Sequence, residues 1–284
     1  MRGKKLKTVT SINGRLVRRG RDKISVFDNA VLYAEGLFET FLAVDDQIIF
    51  PAEHLRRLYK GAGVIDLRIP VTAKTLSLWM RRTLKAHPDR IKKLRMTVTS
   101  GESARWVGVS GKPQVILSAS PHEMPSQPFK LHVSEFRVDQ KSVFRVIKTL
   151  SYAIHAAALK QAKKRGCDDA LLLNESDKVA EVTSANVFWV EGGVVYTPAI
   201  GSGCLDGITR GIAIKVARQL GMTVRERNCR LEQLVAADEV FISSSLKLVV
   251  GVSQIKTARK NFRIKTGPVT EGLRRHFLQI TGLR

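Results

Sequence analysis

Two residues in the middle of the chain have the chemistry for covalent work, Lys148 and Glu181. Lys148 stands at the end of a β-branched run (Val143, Val146, Ile147), just before a small-residue segment, 151–162, a setting in which its amine is expected to be partly desolvated. Desolvation favours the neutral amine, the form that attacks a carbonyl carbon. Glu181 stands between two apolar runs, which places it at a strand end facing a site rather than solvent. A carboxylate buried there requires a cationic partner. Alone, each is an ordinary surface group of a basic protein; the surrounding pattern is what singles them out.

That pattern is a series in fixed order. Lys148-Thr-Leu-Ser-Tyr152 is followed by Asp169-Ala-Leu-Leu-Leu-Asn174, by Glu181-Val-Thr-Ser-Ala-Asn186, by Val195-Tyr-Thr-Pro198 and by Gly207-Ile-Thr-Arg210. Upstream stand Val26 to Thr40, with Tyr33, Gly36 and Phe38, and Glu53-His-Leu-Arg-Arg-Leu58. In order and spacing the series resembles the class IV (fold type IV) pyridoxal-phosphate enzymes, the group of branched-chain aminotransferases, D-amino acid aminotransferases and aminodeoxychorismate lyases. The likeness runs from roughly residue 24 to residue 255.

The resemblance implies an α+β fold of two domains, a small α/β domain and a larger one with a barrel-like sheet, and a homodimer. It implies pyridoxal 5′-phosphate as cofactor, with Lys148 bonded to its aldehyde and serving as general base and then general acid. Glu181 then faces the cofactor's ring nitrogen, and Arg57, Ile208, Thr209 and Ser245 hold its phosphate. An arginine fork suits that task because its planar donors take two oxygens at once. Tyr152 is the expected partner of the cofactor's phenolic oxygen. Tyr33 and Phe38 are expected to line the substrate pocket, and Arg95 and Lys247 to meet a substrate carboxylate.

The expected activity is amino-group transfer between an amino acid of branched-chain type and a 2-oxo acid, by a ping-pong route. Three departures bear on the substrate. Ser100 stands where D-amino acid aminotransferases carry an arginine, Leu42 replaces an arginine of the branched-chain signature, and Ser244 to Leu248 replaces Gly-Thr-Ala-Ala-Glu. The last is more similar to aminodeoxychorismate lyases, so elimination of pyruvate on the same cofactor is the alternative, with D-amino acid transfer behind it. A protein that kept the fold, lost the chemistry and binds polyanions is the distant rival.

Composition bounds these readings. The chain has 284 residues, enough for two domains, with 48 Lys and Arg against 25 Asp and Glu, a formal net charge of +23. The basic residues are spread along the chain, with modest clusters at 2–7, 15–23, 160–165 and 259–265 and no interleaved aromatics, so nucleic acid is not expected as a main partner. Cys167, Cys204 and Cys229 are odd in number and unpaired in spacing, which suggests neither disulfides nor a metal site. No apolar signal core follows the basic N-terminus and no run of about 18 apolar residues occurs, so a cytoplasmic protein without a membrane segment is expected.

The elements that must position the site follow from turn and cap signals. Asn13-Gly14 predicts a hairpin, Asp45-Asp46 a second turn, and Pro51 a helix start. Three prolines within 121–128 predict an interdomain linker, with a first domain over 1–120 and a second over 129–284. Ser151 is expected to cap a helix that ends near Gly166, a further helix is expected from about Gly211 to Leu220, and the tail from Pro268 is expected to be helical.

Overall fold

Alternating apolar residues with tight turns build the first half of the chain into one sheet. The computed structural model describes residues 8–18, 20–103 and 111–283, which leaves the basic cluster at 2–7 outside the described residues. The chain divides into two compact units, residues up to Glu123 with Ile147–Ser151, and Met124–Val146 with the chain from Tyr152 onward. A single cut within 121–128 did not foresee that the five residues carrying Lys148 return to the first unit.

In the first unit, β1 (Val9–Ile12) and β2 (Arg15–Val17) pair through Asn13 and Gly14, both at positive φ. Then come α1 (Asn29–Tyr33), β3 (Gly36–Val44), β4 (Gln47–Ile48), α2 (Pro51–Val64), α3 (Ala73–Lys85), β5 (Ile91–Thr99) and β6 (Gln114–Pro121). The strands form an antiparallel sheet in the order β2-β1-β6-β5-β3-β4. Leu76, Met80 and Leu84, spaced one turn apart on α3, pack with Leu55 and Leu58 of α2 over Phe41, Leu94, Met96 and Leu117 of the sheet.

β4 is only two residues long, so most of the outer edge of β3 is left open. The returning segment takes that edge: the Phe38 N–H donates to the Lys148 carbonyl at 2.9 Å and the Leu150 N–H to the Gly36 carbonyl at 3.0 Å. A Cβ on Gly36 would lie 2.4 Å from the Val98 carbonyl oxygen and 2.7 Å from Leu150 Cδ1, so only glycine admits this double approach.

The second unit comprises β7 (Phe129–Val138), α4 (Ala153–Lys164), β8 (Asp169–Asn174), β9 (Val179–Val182), β10 (Asn186–Glu191), β11 (Val194–Thr197), α5 (Ile208–Gln219), β12 (Val224–Glu226), α6 (Leu231–Val235), β13 (Glu239–Ser244), β14 (Leu248–Lys256), β15 (Asn261–Arg263) and α7 (Pro268–Ile280). The sheet order is β12-β11-β10-β13-β14-β7-β8-β9, with β15 on the far part of β14. Its two ends meet: residues following β12 accept the Val179 N–H on the Cys229 carbonyl at 2.9 Å and form a bridge between Lys178 and Arg230. The sheet is thereby curled into a barrel-like form. Leu171, Leu173, Val187, Trp189, Val240, Ile242, Val250 and Val252, alternate residues of their strands, fill its inside.

Several expected boundaries move. The β-branched stretch before Lys148 forms a turn of 3₁₀ helix over Val143–Val146, with Val143 and Phe144 exposed. α4 begins at Ala153 with Tyr152 at its N-cap and no side-chain cap, so Ser151 does not cap it. α5 begins at Ile208, three residues ahead of the expected start, with Gly207 at its N-cap.

Candidate active site

In the first unit the chemistry gathers around the edge of β3. Backbone pairing beside Phe38 fixes Lys148, and its Nζ lies 4.3 Å from the centre of the Phe38 ring. The Arg95 guanidinium lies 3.9 Å from the same ring. Phe38 is therefore buried between two cations, with Lys148 half-buried. Tyr33, on α1, is 44% exposed. The Ser100 hydroxyl, where D-amino acid enzymes carry arginine, is buried without a hydrogen-bond partner among the described residues.

Arg57 is held by a carboxylate. Its Nε donates to Glu39 Oε1 at 2.8 Å and its Nη2 to Glu39 Oε2 at 2.7 Å, while His54 Nδ1 donates to Glu39 Oε2 at 2.7 Å. Burial alone would push the Glu39 carboxyl up; the charge and hydrogen bonds of Arg57, with those of His54, outweigh it and bring it down to about 2. Glu39 thus stays ionised and orients the guanidinium.

In the second unit Glu181, on β9, is buried and fully engaged. Its Oε1 accepts from the Arg145 guanidinium and from His155 Nε2 at 3.2 Å, and its Oε2 accepts the Leu205 N–H at 2.9 Å. Burial raises the carboxyl, but the His155 hydrogen bond and the Arg145 charge prevail and hold it below the usual carboxylate range. Arg145 is anchored in turn by its Nε on the Gly203 carbonyl at 2.7 Å. The Tyr152 hydroxyl donates to the Thr183 carbonyl at 2.6 Å, and its ring stacks on His155 with centroids 4.2 Å apart.

The start of α5 is an anion cradle. Among the described residues no side chain caps it, its first N–H groups belong to Ile208 and Thr209, and the buried Thr209 hydroxyl has no hydrogen-bond partner. Ser245 lies in the turn that follows β13. Lys247, in the same turn, donates to the Ser184 hydroxyl at 2.7 Å and stands 3.9 Å from Asp169 Oδ2, which also accepts from Ser184. Burial pulls the Lys247 ammonium below the usual lysine range, with Asp169 opposing it. The ammonium is turned into a polar cluster with Ser184 and Asp169.

A family model described as "Amino-transferase class IV" matches residues 36–255. The chain belongs to that family. A protein of Methanocaldococcus jannaschii, whose assignment as a branched-chain-amino-acid aminotransferase is provisional, is 32% identical over 95% of each chain. The branched-chain amino acid aminotransferase of Thermoproteus uzoniensis, solved with norvaline, is 27% identical, with a TM-score of 0.89 over 96% of this chain and 94% of that one. The aminodeoxychorismate lyase of Bacillus subtilis is 26% identical over 92% of this chain and 91% of its own.

In this class IV member the sequence motifs did not reveal Glu39, His54, Arg145 or His155, though each fixes the charge or direction of a residue they did single out. His54 lies on the buried side of α2 with Leu55 and Leu58 and is 1% exposed. A histidine one position before a core leucine, and an arginine three before the key lysine, were the available signals.

Proposed function

We propose that this class IV aminotransferase transfers amino groups between an amino acid of branched-chain type and a 2-oxo acid, using pyridoxal 5′-phosphate. The observation that carries the cofactor is the buried, unpartnered Thr209 hydroxyl beside the free N–H groups that open α5, a donor set that calls for an anion. When bound, the cofactor supplies an electron sink that stabilises charge developing at the substrate α-carbon.

The chain's own residues do the rest. Ile208, Thr209, Ser245 and Arg57 are the residues that would hold the phosphate, and Glu39 keeps the Arg57 fork oriented. Lys148 would hold the cofactor through its amine, and its Nζ is the group that would take the substrate α-proton as general base and return it as general acid. Glu181, kept ionised by His155 and Arg145, is the carboxylate that would stand against the cofactor's ring nitrogen and favour its protonated form. Tyr152 is the residue we assign to the phenolic oxygen, and Tyr33, Phe38 and Arg95 to the substrate. Lys247 reaches a substrate carboxylate only by leaving Ser184.

A homodimer in the cytoplasm fits the surface. Ile24, Val26, Phe27, Val31, Leu32 and Tyr33 form a run of exposed large apolar side chains on the first unit, the kind of patch that a partner covers. No helix among the described residues is long and apolar enough to cross a membrane. A lyase reading on the same cofactor is kept alive by Leu42 and by Leu246-Lys247-Leu248.

The test incubates the protein and its Lys148→Ala variant with pyridoxal phosphate and records the absorbance near the visible edge, then offers L- and D-amino acids with 2-oxoglutarate and, separately, aminodeoxychorismate. Transfer from L-branched-chain donors, lost in the variant by roughly 10²–10⁴-fold or more, supports the proposal. Pyruvate release without transfer would replace it with the lyase.

A further inference from the structure

The net charge of +23 plays no part in the reaction above, and it is not evenly neutralised. In the second unit carboxylates are committed elsewhere: Asp177 to Arg137, Glu191 to Arg227, Glu226 to Arg210, Glu181 to Arg145 and Asp169 to Lys247. One end of the sheet is left uncompensated. There β7 carries Lys130 as its second residue, β14 ends at Lys256, the β14–β15 turn carries Arg259, β15 ends at Arg263, and α4 runs out into Lys163 and Arg165.

These residues come from separate segments to one face. Strand pairing sets Lys256 beside His132 and Arg263 beside Gln254. The charges of Lys256, Lys130 and Lys163 all act on the Cys167 thiol, and those of Arg165 and Lys256 on the His132 ring. Five of the six are exposed, Lys256 is half-buried, and none makes an ion pair among the described residues. The acids nearby are Asp168, whose carboxylate accepts the Lys130 N–H, and Glu135, which accepts from Gln161.

Gathered cations without partners raise the local potential and repel one another, a cost that an anion relieves. The charges are spread along a face instead of converging on a buried pocket, which suits an extended polyanion better than a single phosphate. No exposed large apolar side chain falls within 129–132, 160–168 or 252–265, so the face lacks what insertion into a lipid surface uses. Nor does it offer exposed aromatic rings for stacking bases. We propose that this face binds the phosphodiester backbone of nucleic acid without reading its sequence, alongside the enzymatic activity. Composition alone could not favour such binding; the convergence of six unpaired cations does.

The experiment measures fluorescence anisotropy of a labelled DNA duplex of about 20 base pairs titrated with the full chain at salt concentrations from about 50 to about 200 mM KCl, the range over which phosphate contacts show. The variant Lys163→Glu/Arg165→Glu/Arg259→Glu/Arg263→Glu removes four contacts. At about 0.9 per contact, the slope of log affinity against log salt becomes shallower by about 3.6, so the unaltered chain loses about 150-fold more affinity across that range than the variant does. A control with the same change in net charge, Lys74→Glu/Arg81→Glu/Arg82→Glu/Lys85→Glu on α3, is expected to keep the original slope. Transamination rates report that all three are folded. Should the quadruple variant not fold, Arg259→Gln/Arg263→Gln, on the exposed hairpin, is expected to flatten the slope by about 1.8. Equal losses in patch and control variants, absence of binding at about 50 mM, or patch-dependent binding to phosphatidylserine vesicles without binding to the duplex would each overturn the proposal.

Discussion

Arg145 and Glu181 share an ion pair in which the guanidinium and His155 Nε2 converge on one carboxylate oxygen. The carboxyl is depressed from its ordinary value, so it contributes stability that is present above the unfolded pKa and is lost as pH falls through the lower folded one. Arg145→Gln removes the cation and leaves His155 and the Leu205 N–H in place. Taking one partner from a fully buried pair costs about 3–5 kcal/mol, and with two donors remaining the cost here is expected to be about 2–3 kcal/mol at pH 7. Urea denaturation at pH 7 and at pH 4 checks this: the gap between variant and parent should shrink at the lower pH, and a gap that widens would show that Arg145 does not stabilise the ionised carboxylate.

Glu39 makes a sharper acid prediction, because burial and two partners set its carboxyl at about 2. Relative to an unfolded value near 4.3 this is a contribution on the order of 3 kcal/mol, fully present above about pH 5 and lost between there and about pH 2. Glu39→Gln should remove that segment of the pH–stability curve. It should also loosen Arg57, raising the dissociation constant for pyridoxal phosphate while leaving kcat at saturating cofactor nearly unchanged. A parallel fall in kcat would give Glu39 a role beyond orientation.

The sequence made legible whatever depended on local signals. Asn13-Gly14, Asp45-Asp46 and Pro51 marked the first unit's turns and helix start because each supplies a backbone conformation few residues adopt easily. Less legible was anything decided by a distant strand. The run before Lys148 is β-branched, yet Val143–Val146 winds into a 3₁₀ turn because the open edge of β3 captures the chain only from Ile147 onward. Ser151 has cap chemistry, but α4 starts two residues later and the cap position falls to Tyr152, whose hydroxyl is taken by the Thr183 carbonyl. Burial of Glu181 calls for a cation, but its partners come from three separate segments, Arg145, His155 and the Leu205 N–H, and no spacing rule joins them to it.

The exposed apolar run on the first unit leads to a prediction about assembly. Phe27 is 61% exposed and Leu32 51% exposed, so a charge at either costs the isolated chain little. Phe27→Glu with Leu32→Glu is expected to give a monomer by sedimentation equilibrium, with an unchanged circular dichroism spectrum. An unaltered chain that is already monomeric at micromolar concentration would remove the dimer from the functional reading.

Thr209→Val separates folding from cofactor binding. The Thr209 hydroxyl is buried at the start of α5 and has no hydrogen-bond partner among the described residues, so its desolvation is uncompensated until an anion arrives. Valine keeps the shape and removes the polar atom, which relieves that cost. The cofactor-free variant should therefore be as stable as the parent or more so, by up to about 1–2 kcal/mol in thermal or urea denaturation. In the presence of pyridoxal phosphate the order should reverse. A hydrogen bond to a charged group contributes about 1.5–3 kcal/mol, so the variant should bind the cofactor roughly 10–150-fold more weakly in a fluorescence titration. Arsenate or inorganic phosphate should protect the parent against heat more than it protects the variant, because the lost contact is to the anion and not to the ring. A variant that loses stability without cofactor and binds it as well as the parent would place the phosphate away from α5.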